Sequence, residues 1–420
     1  MSIEQKINYQ LNKIPWLKTS VKRIYQLGMY AISPKIKCEG NIIRVSPDEP
    51  GEYFFGYYDK SPWDASGRYM LCMKAKDTWS DPDPNTSVDI LLIDLKERHK
   101  TRKIATSKTW NVQQGCMAQW LGPDYSNRII YNDLREGKYC SIILNIMTGK
   151  EERIIGCPVY SVSADGKTAL SLDFSRLHNL RKGYGYSAIL EQTKGIPIPD
   201  ATAIWKIDLL SGEVSSLFKY TDFANFEPRP EMIDSVHKVN HIMISPGGNR
   251  FMVLHRWFHG VRKYTRLVTC NIDGTKMYNL SDDDMVSHCF WKNNREIIAF
   301  ANKHNKGTGY FIMNDRSHEY KRVWPNINND GHPSYSPANS DIVVFDTYPD
   351  RIRLQKIKIG KDIDNEASTI ITVFSPFKYD NDCRCDLHPR WSRDGKYICF
   401  DSVFEGKRGL YITPMDNPNI

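Results

Sequence analysis

Several features that mark common classes of protein are missing from this 420-residue sequence. It has no apolar run near the length of about 18 residues that a transmembrane helix needs. Its N-terminus lacks the basic, apolar and small-residue order of a secretory signal. The ten cysteines include no Cys-x-x-Cys pair, which favours reduced thiols over a disulfide framework. These absences predict a cytoplasmic protein.

Two further absences limit the chemistry. The sequence contains no Gly-rich phosphate loop and no spaced acidic metal motif, so nothing in it supports a conventional nucleotide-sugar transferase. Residues 1–40 carry +5 of the net charge of +8, which leaves only +3 on residues 41–420, without a basic stripe. Nucleic acid is therefore not an expected partner.

A repeated β pattern fills most of the chain. Residues 386–412, DLHPRWSRDGKYICFDSVFEGKRGLYI, form a predicted β-meander of three strands joined by two polar turns. The Arg-Asp-Gly turn suits a hairpin because glycine tolerates the positive φ that short turns need. Related segments begin at Ser61, Gln119, Tyr160, His241, His288 and His332.

Seven copies spaced by roughly 45–60 residues, with one longer interval after Tyr160, match four-stranded blades around an axis. The sequence thus predicts an all-β, seven-bladed β-propeller over residues 41–420. A β-sandwich or two β domains is the alternative, but the copies are spread too evenly for one two-sheet core. The strand at residues 41–45 is expected to pair with the last blade, since closure removes an open edge.

Residues 1–40 form a predicted leader with a short basic amphipathic helix. Leu17, Val21, Ile24 and Tyr25 fall at helical spacing. The basic residues of the leader are Lys6, Lys13, Lys18, Lys22, Arg23, Lys35 and Lys37. One interpretation is that the helix binds peripherally to the anionic inner surface of the membrane. The other is packing against the outer wall of the propeller.

Four histidines begin the inner strands of successive blades: His241, His288, His332 and His388. Imidazoles from separate strands of a propeller can point toward one axis, so a divalent transition metal such as Mn or Zn is an expected cofactor. The alternative is that the four rings hydrogen-bond backbone and water merely because the repeats are related.

Polar residues also recur fourteen positions apart, at the start of the first strand and the end of the second strand of a blade. The pairs are Lys60 with Lys74, His241 with His255, His288 with Asn302 and His332 with Asp346. Antiparallel neighbours place these ends together, so the pairs are predicted on one rim near the axis. Lys60 and His255 are predicted to bind substrate there.

Tyr160 and Arg176 form a second predicted constellation. They lie sixteen residues apart on one hairpin and are expected to be neighbours at the rim. Such a pair suits β-elimination on a uronic acid, with arginine neutralising the carboxylate and tyrosine removing the acidified proton. A structural cation–π or hydrogen-bonded pair is the alternative.

Other predicted substrate contacts lie in loops. Tyr58 occurs in the aromatic and charged segment FGYYDKSPWD, and Gln114 in WNVQQGCMAQW. Gln114 suits a polar rim that approaches a ligand, although its amide can equally satisfy local backbone. Arg181 and Tyr184 belong to a long excursion, residues 181–200, and loops of that length in compact folds are usually functional or disordered. Its composition favours glycan contact.

The segment HPRWSRDGKYICFDS, the inner-strand histidines and the sevenfold repeat resemble the propeller-type polysaccharide lyases, the oligogalacturonate and ulvan lyases. The resemblance implies that Tyr160 and Arg176 match the tyrosine and arginine that act in the ulvan-type enzymes. It also implies that the channel histidines match the metal ligands of both groups. Tyr57, Tyr58, Gln113 and Gln114 stand where those lyases carry additional histidines in the early blades.

A second resemblance rests on FGYYDKSPW and the basic leader, which are similar to proteins of capsule and exopolysaccharide clusters labelled glycosyltransferases. Three functions follow as hypotheses. The first is a lyase-like enzyme acting on an acidic polysaccharide or oligosaccharide. The second is a polysaccharide-assembly enzyme at the inner membrane face, and the third is a non-catalytic glycan-binding propeller.

Overall fold

The computed structural model describes residues 15–415, and the side chains of residues 15, 16, 18 and 19 lie outside the description. Seven antiparallel sheets form the blades of a ring, which confirms the predicted seven-bladed propeller. The chain starts with helix α1 (Pro15–Ile32), strand β1 (Cys38–Glu39) and strand β2 (Ile43–Arg44). Helices α2 (Phe174–Leu180) and α3 (Tyr220–Asn225) accompany blade three.

The remaining strands follow in chain order, four to a blade in blades one to six and three in blade seven. Blades one to three contain β3 (Glu52–Phe54), β4 (Tyr69–Ala75), β5 (Val88–Asp94), β6 (Lys100–Ser107), β7 (Gln119–Trp120), β8 (Arg128–Arg135), β9 (Lys138–Asn145), β10 (Lys150–Ile155), β11 (Ser161–Val162), β12 (Thr168–Leu172), β13 (Thr202–Asp208) and β14 (Val214–Lys219). Blades four to seven contain β15 (Val236–Ile244), β16 (Arg250–His259), β17 (Arg262–Asn271), β18 (Tyr278–Ser281), β19 (Val286–Trp291), β20 (Glu296–Lys303), β21 (Gly307–Asn314), β22 (Tyr320–Val323), β23 (Ser334–Tyr335), β24 (Ile342–Asp346), β25 (Leu354–Lys361), β26 (Ser368–Phe374), β27 (Arg390–Trp391), β28 (Tyr397–Ser402) and β29 (Gly409–Pro414).

The turn between the first and second strands repeats in four blades. A serine or aspartate oxygen accepts the backbone N–H of the residue five positions later, and a glycine three positions later has φ between 68° and 77°. The accepting residues are Asp64, Ser163, Ser245 and Ser392. The side-chain bond and the left-handed glycine together fix the hairpin, so the sequence pattern recurs with it.

The N-terminal strands close the ring. Ile43 of β2 pairs with Ile412 of β29, and the Val45 N–H donates to the Leu410 carbonyl at 3.0 Å. This confirms the predicted pairing of residues 41–45 with the last blade. Strand β1 adds a fifth strand to blade six by pairing Cys38 with Val373, so part of the predicted leader belongs to the propeller.

Helix α1 contacts blade six through one face. Arg23 forms an ion pair with Asp380 at 2.6 Å, and the Tyr30 ring stacks on Phe374 at 5.0 Å. Ile24, 70% exposed, lies on the other face, with the exposed Val21 and Tyr25. The predicted apolar face is thus mainly exposed, and Lys6, Lys13 and the Lys18 side chain fall outside the description. No helix within residues 15–415 is long and apolar enough to cross a membrane.

Blade one departs from the regular pattern next to the channel. Phe54 pairs with Met73, and Trp63 pairs with Met70. The chain therefore advances nine residues between these two pairs on the first strand and only three on its partner. The extra residues, 55–62, leave the sheet and carry two tyrosines into the centre of the ring. Gly56 starts this excursion at φ 116°, a conformation that suits glycine.

Candidate functional site

The four predicted histidines meet at the centre of the propeller. The ring centroids of His288 and His332 are 3.9 Å apart, those of His332 and His388 are 4.3 Å apart, and those of His241 and His288 are 5.3 Å apart. All four side chains are buried. The histidines lie within or just ahead of the inner strands of blades four to seven, so the repeat brings them to one point.

Two of these histidines have left-handed backbone, which is uncommon for a residue with a side chain. His241 has φ 56° and sits where the register between β15 and β16 shifts, and His388 has φ 46° just before β27. Strained backbone of this kind is concentrated at functional sites. It turns each residue out of the regular alternation of its strand.

One carboxylate organises two of the rings. Asp346 accepts the His332 Nδ1–H at 2.8 Å, the His332 backbone N–H at 2.8 Å and the His388 backbone N–H at 2.9 Å. The pKa of Asp346 is raised by burial, but the interaction with His332 and these hydrogen bonds outweigh it and hold the pKa below its usual value. The predicted rim pair of His332 and Asp346 is therefore present.

Three side-chain atoms without hydrogen-bond partners form a candidate set of metal ligands, called the donor set below. His388 Nδ1 donates to the Gly56 carbonyl at 2.8 Å, and Arg384 donates to Asp386 Oδ1 at 2.7 Å. His332 Nε2, His388 Nε2 and Asp386 Oδ2 are buried without any hydrogen-bond partner. Ligand atoms of these three residues lie within 4.8 Å of one another.

Buried polar atoms without partners cost stability, and three in one place need an explanation. A divalent cation supplies one, because it binds imidazole nitrogen and carboxylate oxygen and favours ligands whose other atoms are fixed by hydrogen bonds. The residues present therefore fit a metal. The set differs from the predicted four histidines in that Asp386 joins His332 and His388.

The other two histidines are engaged by neighbours. His241 Nε2 forms a short hydrogen bond with the Tyr57 hydroxyl, and its Nδ1 contacts the Asn240 amide at 3.0 Å. His288 Nδ1 binds Asp330 at 3.0 Å, which leaves only Nε2 for a ligand. Both nitrogens of His241 thus have hydrogen-bond partners, so His241 does not belong to the partnerless donor set.

Tyr57 and Tyr58 fill the channel beside the histidines. The Tyr57 ring lies 4.9 Å from His388, and the Tyr58 ring lies 5.2 Å from His332. The Tyr58 hydroxyl donates to the Cys289 carbonyl at 2.8 Å, so Tyr58, predicted to bind substrate, forms a wall of the site. Burial raises the pKa of both phenols, which keeps them neutral.

Tyr160 and Gln114, two further predicted site residues, contact each other. The Tyr160 hydroxyl accepts a hydrogen bond from Gln114 Nε2 at 2.9 Å and another from the His241 backbone N–H at 3.2 Å. Burial raises the pKa of Tyr160. The structure therefore joins Tyr160 to the histidine cluster.

The prediction that Arg176 is a neighbour of Tyr160 at the rim is wrong. Asp173 caps helix α2 by accepting the Arg176 backbone N–H, and the helix directs the guanidinium into the protein. There it forms a buried ion pair with Glu191 at 2.6 Å and donates to the His237 and Pro197 carbonyls. All three nitrogens have partners, so Arg176 is not available for a substrate carboxylate.

The predicted positions of Lys60 and His255 are also wrong. Lys60 lies at the other end of the channel, where the inner strands finish, and pairs with Asp59 at 2.7 Å. Its proposed partner Lys74 instead faces Tyr53 because residues 55–62 leave the sheet. His255 pairs with Val239 because the strand bulges at His241. The buried His255 ring contacts the His237 ring at 2.9 Å and accepts a hydrogen bond from Arg266 at 3.1 Å.

The long excursion of blade three lies over the histidine end of the channel. The Arg181 guanidinium stacks on Tyr184 at 4.2 Å, and the Tyr184 ring lies 6.2 Å from Tyr57. Gly183 has φ 82°, and a Cβ there would collide with the Asp382 carbonyl. The excursion thus meets the connection between blades six and seven, and the predicted residues Arg181 and Tyr184 lie close to the site.

A cavity of about 550 Å³ opens beside the histidines, within the usual range for small-molecule sites. Asp330 and Tyr348 line it, and both reach the cluster. Asp330 binds His288, and the Tyr348 ring lies 5.8 Å from His332. The cavity is large enough for a saccharide, and Asp330 and Tyr348 form the layer of side chains between it and the histidines.

Comparisons with solved structures identify the scaffold. An oligogalacturonate lyase from Vibrio parahaemolyticus shares 13% identity and a TM-score of 0.60 over 91% of this chain and 98% of its own. An oligogalacturonate lyase in complex with manganese shares 14% identity and a TM-score of 0.64 over 89% and 93%. Kuenenia stuttgartiensis hydrazine synthase gives 10% identity and a TM-score of 0.50 over 88% and 97%.

These similarities show the propeller fold. No protein-family model matches the chain, and no curated protein matches it either. Since the similar structures include enzymes of unrelated chemistry, the function rests on the residues of this site.

Sequence reasoning missed several residues of the site, and two of them carried a signal. Asp386 lies two positions before His388, and alternate residues of an extended segment point to the same side. Asp346 was placed with His332 by its spacing but was not recognised as the holder of both rings. Tyr57 had no comparable signal beyond its place among the positions where the resembling lyases carry histidine, and Asp330 had none. Their contacts depend on the excursion in blade one and on contact between blades.

Proposed function

We propose that the protein is a metal-dependent enzyme that acts on an acidic saccharide by β-elimination beside a uronate carboxylate. The observation that carries the proposal is the buried, partnerless donor set of His332, His388 and Asp386. A cavity of about 550 Å³ lies beyond Asp330 and Tyr348, which contact the histidines. The similar structures support it, since two are oligogalacturonate lyases and one is described with manganese.

His332, His388 and Asp386 would hold the cation, and mixed nitrogen and oxygen donors suit Mn or Zn. A bound divalent cation would neutralise the substrate carboxylate and so acidify the adjacent C–H bond. In this proposal the cation held by the donor set neutralises the substrate carboxylate, which is the role predicted for Arg176 from the sequence.

Tyr57 and His241 supply the proton-transfer pair. Burial, with help from nearby cations, lowers the pKa of His241, so its imidazole is unprotonated at neutral pH. Turning the Asn240 amide so that Oδ1, which has no other partner, accepts the Nδ1–H of His241 leaves Nε2 as the proton acceptor. As the Tyr57 oxygen takes the proton from the substrate carbon, its own hydroxyl proton passes to His241 Nε2. The electrons of the broken C–H bond form a C=C bond, and the β C–O bond breaks. The leaving oxygen takes up the proton that the Tyr57 oxygen received, and the His241 imidazolium then returns its proton to Tyr57. Tyr160 is the second candidate for the base.

The membrane partner predicted for residues 1–40 remains part of the proposal. The exposed apolar residues of α1, among them Val21 and Ile24, support it, because the contacts of the helix with blade six involve its other face. The packing interpretation and the membrane interpretation are therefore compatible.

Metal analysis and an elimination assay together test the proposed reaction. The purified protein should bind one equivalent of Mn²⁺ or Zn²⁺, and His332→Ala or His388→Ala should abolish binding. The exposed His304 serves as the control, since His304→Ala should retain the metal. Tyr57→Phe should keep the metal but lose about 10²- to 10⁴-fold in the rate of unsaturated uronate formation, measured by ultraviolet absorbance.

The same variants and assays can also contradict the proposed reaction. Full activity in Tyr57→Phe together with its loss in Tyr160→Phe would move the base to Tyr160. Stoichiometric metal without unsaturated product from any acidic oligosaccharide would reject elimination as the reaction.

A further inference from the structure

Four cationic side chains gather beside the histidine end of blade four. Lys238 of β15 stands directly opposite Arg256 of β16, so the two side chains leave the same face of the sheet. Lys263 of β17 lies diagonally from Arg256 on that face, because Thr265 is opposite Arg256 and Lys263 is two positions away. Arg181 joins them from the excursion of blade three, and we call these four residues the cation cluster.

The cation cluster has no ion-pair partner within the described part of the chain, unlike its neighbour Arg262, which binds Asp284 at 2.8 Å. Arg256 is only 2% exposed, yet its Nε and Nη1 atoms have no hydrogen-bond partner. Lys238 is also 2% exposed, and its ammonium contacts the Phe258 ring at 5.4 Å. Buried cations in native proteins are normally paired.

The arrangement is unfavourable without a ligand. Like charges directly opposite each other destabilise a strand pair. Burial and then mutual repulsion lower the pKa of both Lys238 and Arg256, and repulsion from Arg256 lowers that of the more exposed Lys263. A protein keeps such a group of charges where a bound anion offsets the repulsion.

The cation cluster faces the site described above. Arg256 lies within electrostatic reach of Tyr57, Tyr184 and Asp330, and Arg181 stacks on Tyr184. Asp330 is a carboxylate that acts on Arg256, and it is already hydrogen-bonded to His288 and Ser287. An anion held by the cluster would therefore lie next to a saccharide at the histidines.

We infer that the cation cluster binds a phosphate or diphosphate group carried by the saccharide substrate. Two arginines, and two lysines that can take up a proton when an anion binds, stand beside the single carboxylate of Asp330, which leaves positive charge for a ligand to offset. A uronate supplies one negative charge, whereas a phosphate ester brings about two and three acceptor oxygens that suit arginine and lysine donors. The inference rests on the proposed function only in placing the sugar itself at the histidines.

Direct binding of inorganic pyrophosphate is the test, measured by calorimetry and by the thermal midpoint of the full-length protein. Pyrophosphate should bind more tightly than glucuronate and raise the midpoint. Arg256→Gln and Lys238→Met should each weaken binding about tenfold or more, the effect of losing one charge-assisted hydrogen bond. In phosphate-free buffer Arg256→Gln should raise the midpoint, because it removes an unpaired buried charge. A purely structural arginine would give a lower midpoint.

Two matched variants distinguish a specific pyrophosphate site from nonspecific electrostatic attraction to a basic surface. Lys263→Gln and Arg262→Gln remove the same charge from adjacent positions of one hairpin, but Arg262 lies on the other face. Only Lys263→Gln should weaken pyrophosphate binding. Equal losses in both variants would overturn the site.

Two further measurements distinguish this inference from the proposed reaction. His332→Ala should bind pyrophosphate as the wild type does, so the site stands even if no elimination is found. A sugar 1-phosphate should bind more tightly than inorganic phosphate, and equal binding would reject a group carried by the saccharide. Tighter binding of glucuronate than of pyrophosphate would reject the phosphate assignment itself.

Discussion

At the scale of single residues, Arg176 and Glu191 show how a polar pair can support a site without touching it. Both side chains are only 2% exposed, and their ion pair ties helix α2 to the excursion that covers the channel. Arg176 also binds the His237 carbonyl at 2.9 Å, which fixes the excursion against blade four. Its role is therefore to position Arg181 and Tyr184.

Arg176→Met is expected to lower the free energy of unfolding by about 3–5 kcal/mol, because it leaves Glu191 buried with an uncompensated charge. Urea denaturation measures the loss. The double variant Arg176→Met/Glu191→Leu should recover most of it, since it removes both charges. A variant of unchanged stability that fails only in turnover would return Arg176 to a catalytic role.

The meeting of the four histidines was predictable from the sequence, and the position of His255 was not, for a physical reason. Equivalent positions of a repeat occupy equivalent places in the ring, so His288 and His332 meet whatever the local details. The pairing of His241 with His255 assumed a regular strand, and the left-handed residue at His241 breaks that register. A single bulge thus moved His255 to the other face.

At the scale of elements, the short segment 55–62 changes the centre of the molecule. The sequence repeat aligned Ser61 with the other inner strands correctly, as the bridge between Trp63 and Met70 shows. Spacing alone did not reveal that the preceding residues leave the sheet. The segment brings Tyr57 to His241 and sends Lys60 to the opposite end of the channel.

Helix α1 offers a test of its two faces. Val21→Glu/Ile24→Glu should abolish binding to anionic vesicles, because it places two charges on the exposed apolar face. The unfolding midpoint should stay unchanged, since this face does not contact blade six. Vesicle co-sedimentation and thermal unfolding are the measurements.

Arg23→Ala is the control for the opposite face of α1. It removes a partly exposed ion pair with Asp380, so a loss of no more than about 1 kcal/mol of stability is expected, with vesicle binding reduced only slightly. Wild-type binding in the double glutamate variant would reject the membrane interpretation of this face.

At the scale of the whole molecule, seven blades place one site on the axis and leave most of the surface uninvolved. The predicted number of blades followed from spacing, because each repeat must contain four strands to bury its faces against its neighbours. The order of the blades then put four histidines on adjacent blades, four to seven. The excursion of blade three covers them, and its path was not predictable because it depends on contact with the connection before blade seven.

Closure of the ring is the property that only the whole molecule has, and three truncations measure it. Removing residues 1–36 keeps β1 and β2, so the propeller should unfold at nearly the wild-type midpoint. Removing residues 1–40 takes β1 from blade six, and each lost ladder hydrogen bond should cost about 1 kcal/mol. Removing residues 1–46 also takes β2 and exposes the edge of β29.

The protein that lacks residues 1–46 should aggregate, whereas the two shorter truncations should only change its stability. Without β2, blade seven has three strands, and the bond from the Val45 N–H to the Leu410 carbonyl no longer joins the ends of the chain. An open hydrophobic edge pairs with other copies, so aggregation by light scattering should begin well below the wild-type midpoint. Because His388 and Asp386 lie at the start of blade seven, metal binding should fall with it. A soluble, metal-binding protein lacking residues 1–46 would show that the ring needs no closure by its N-terminal strand.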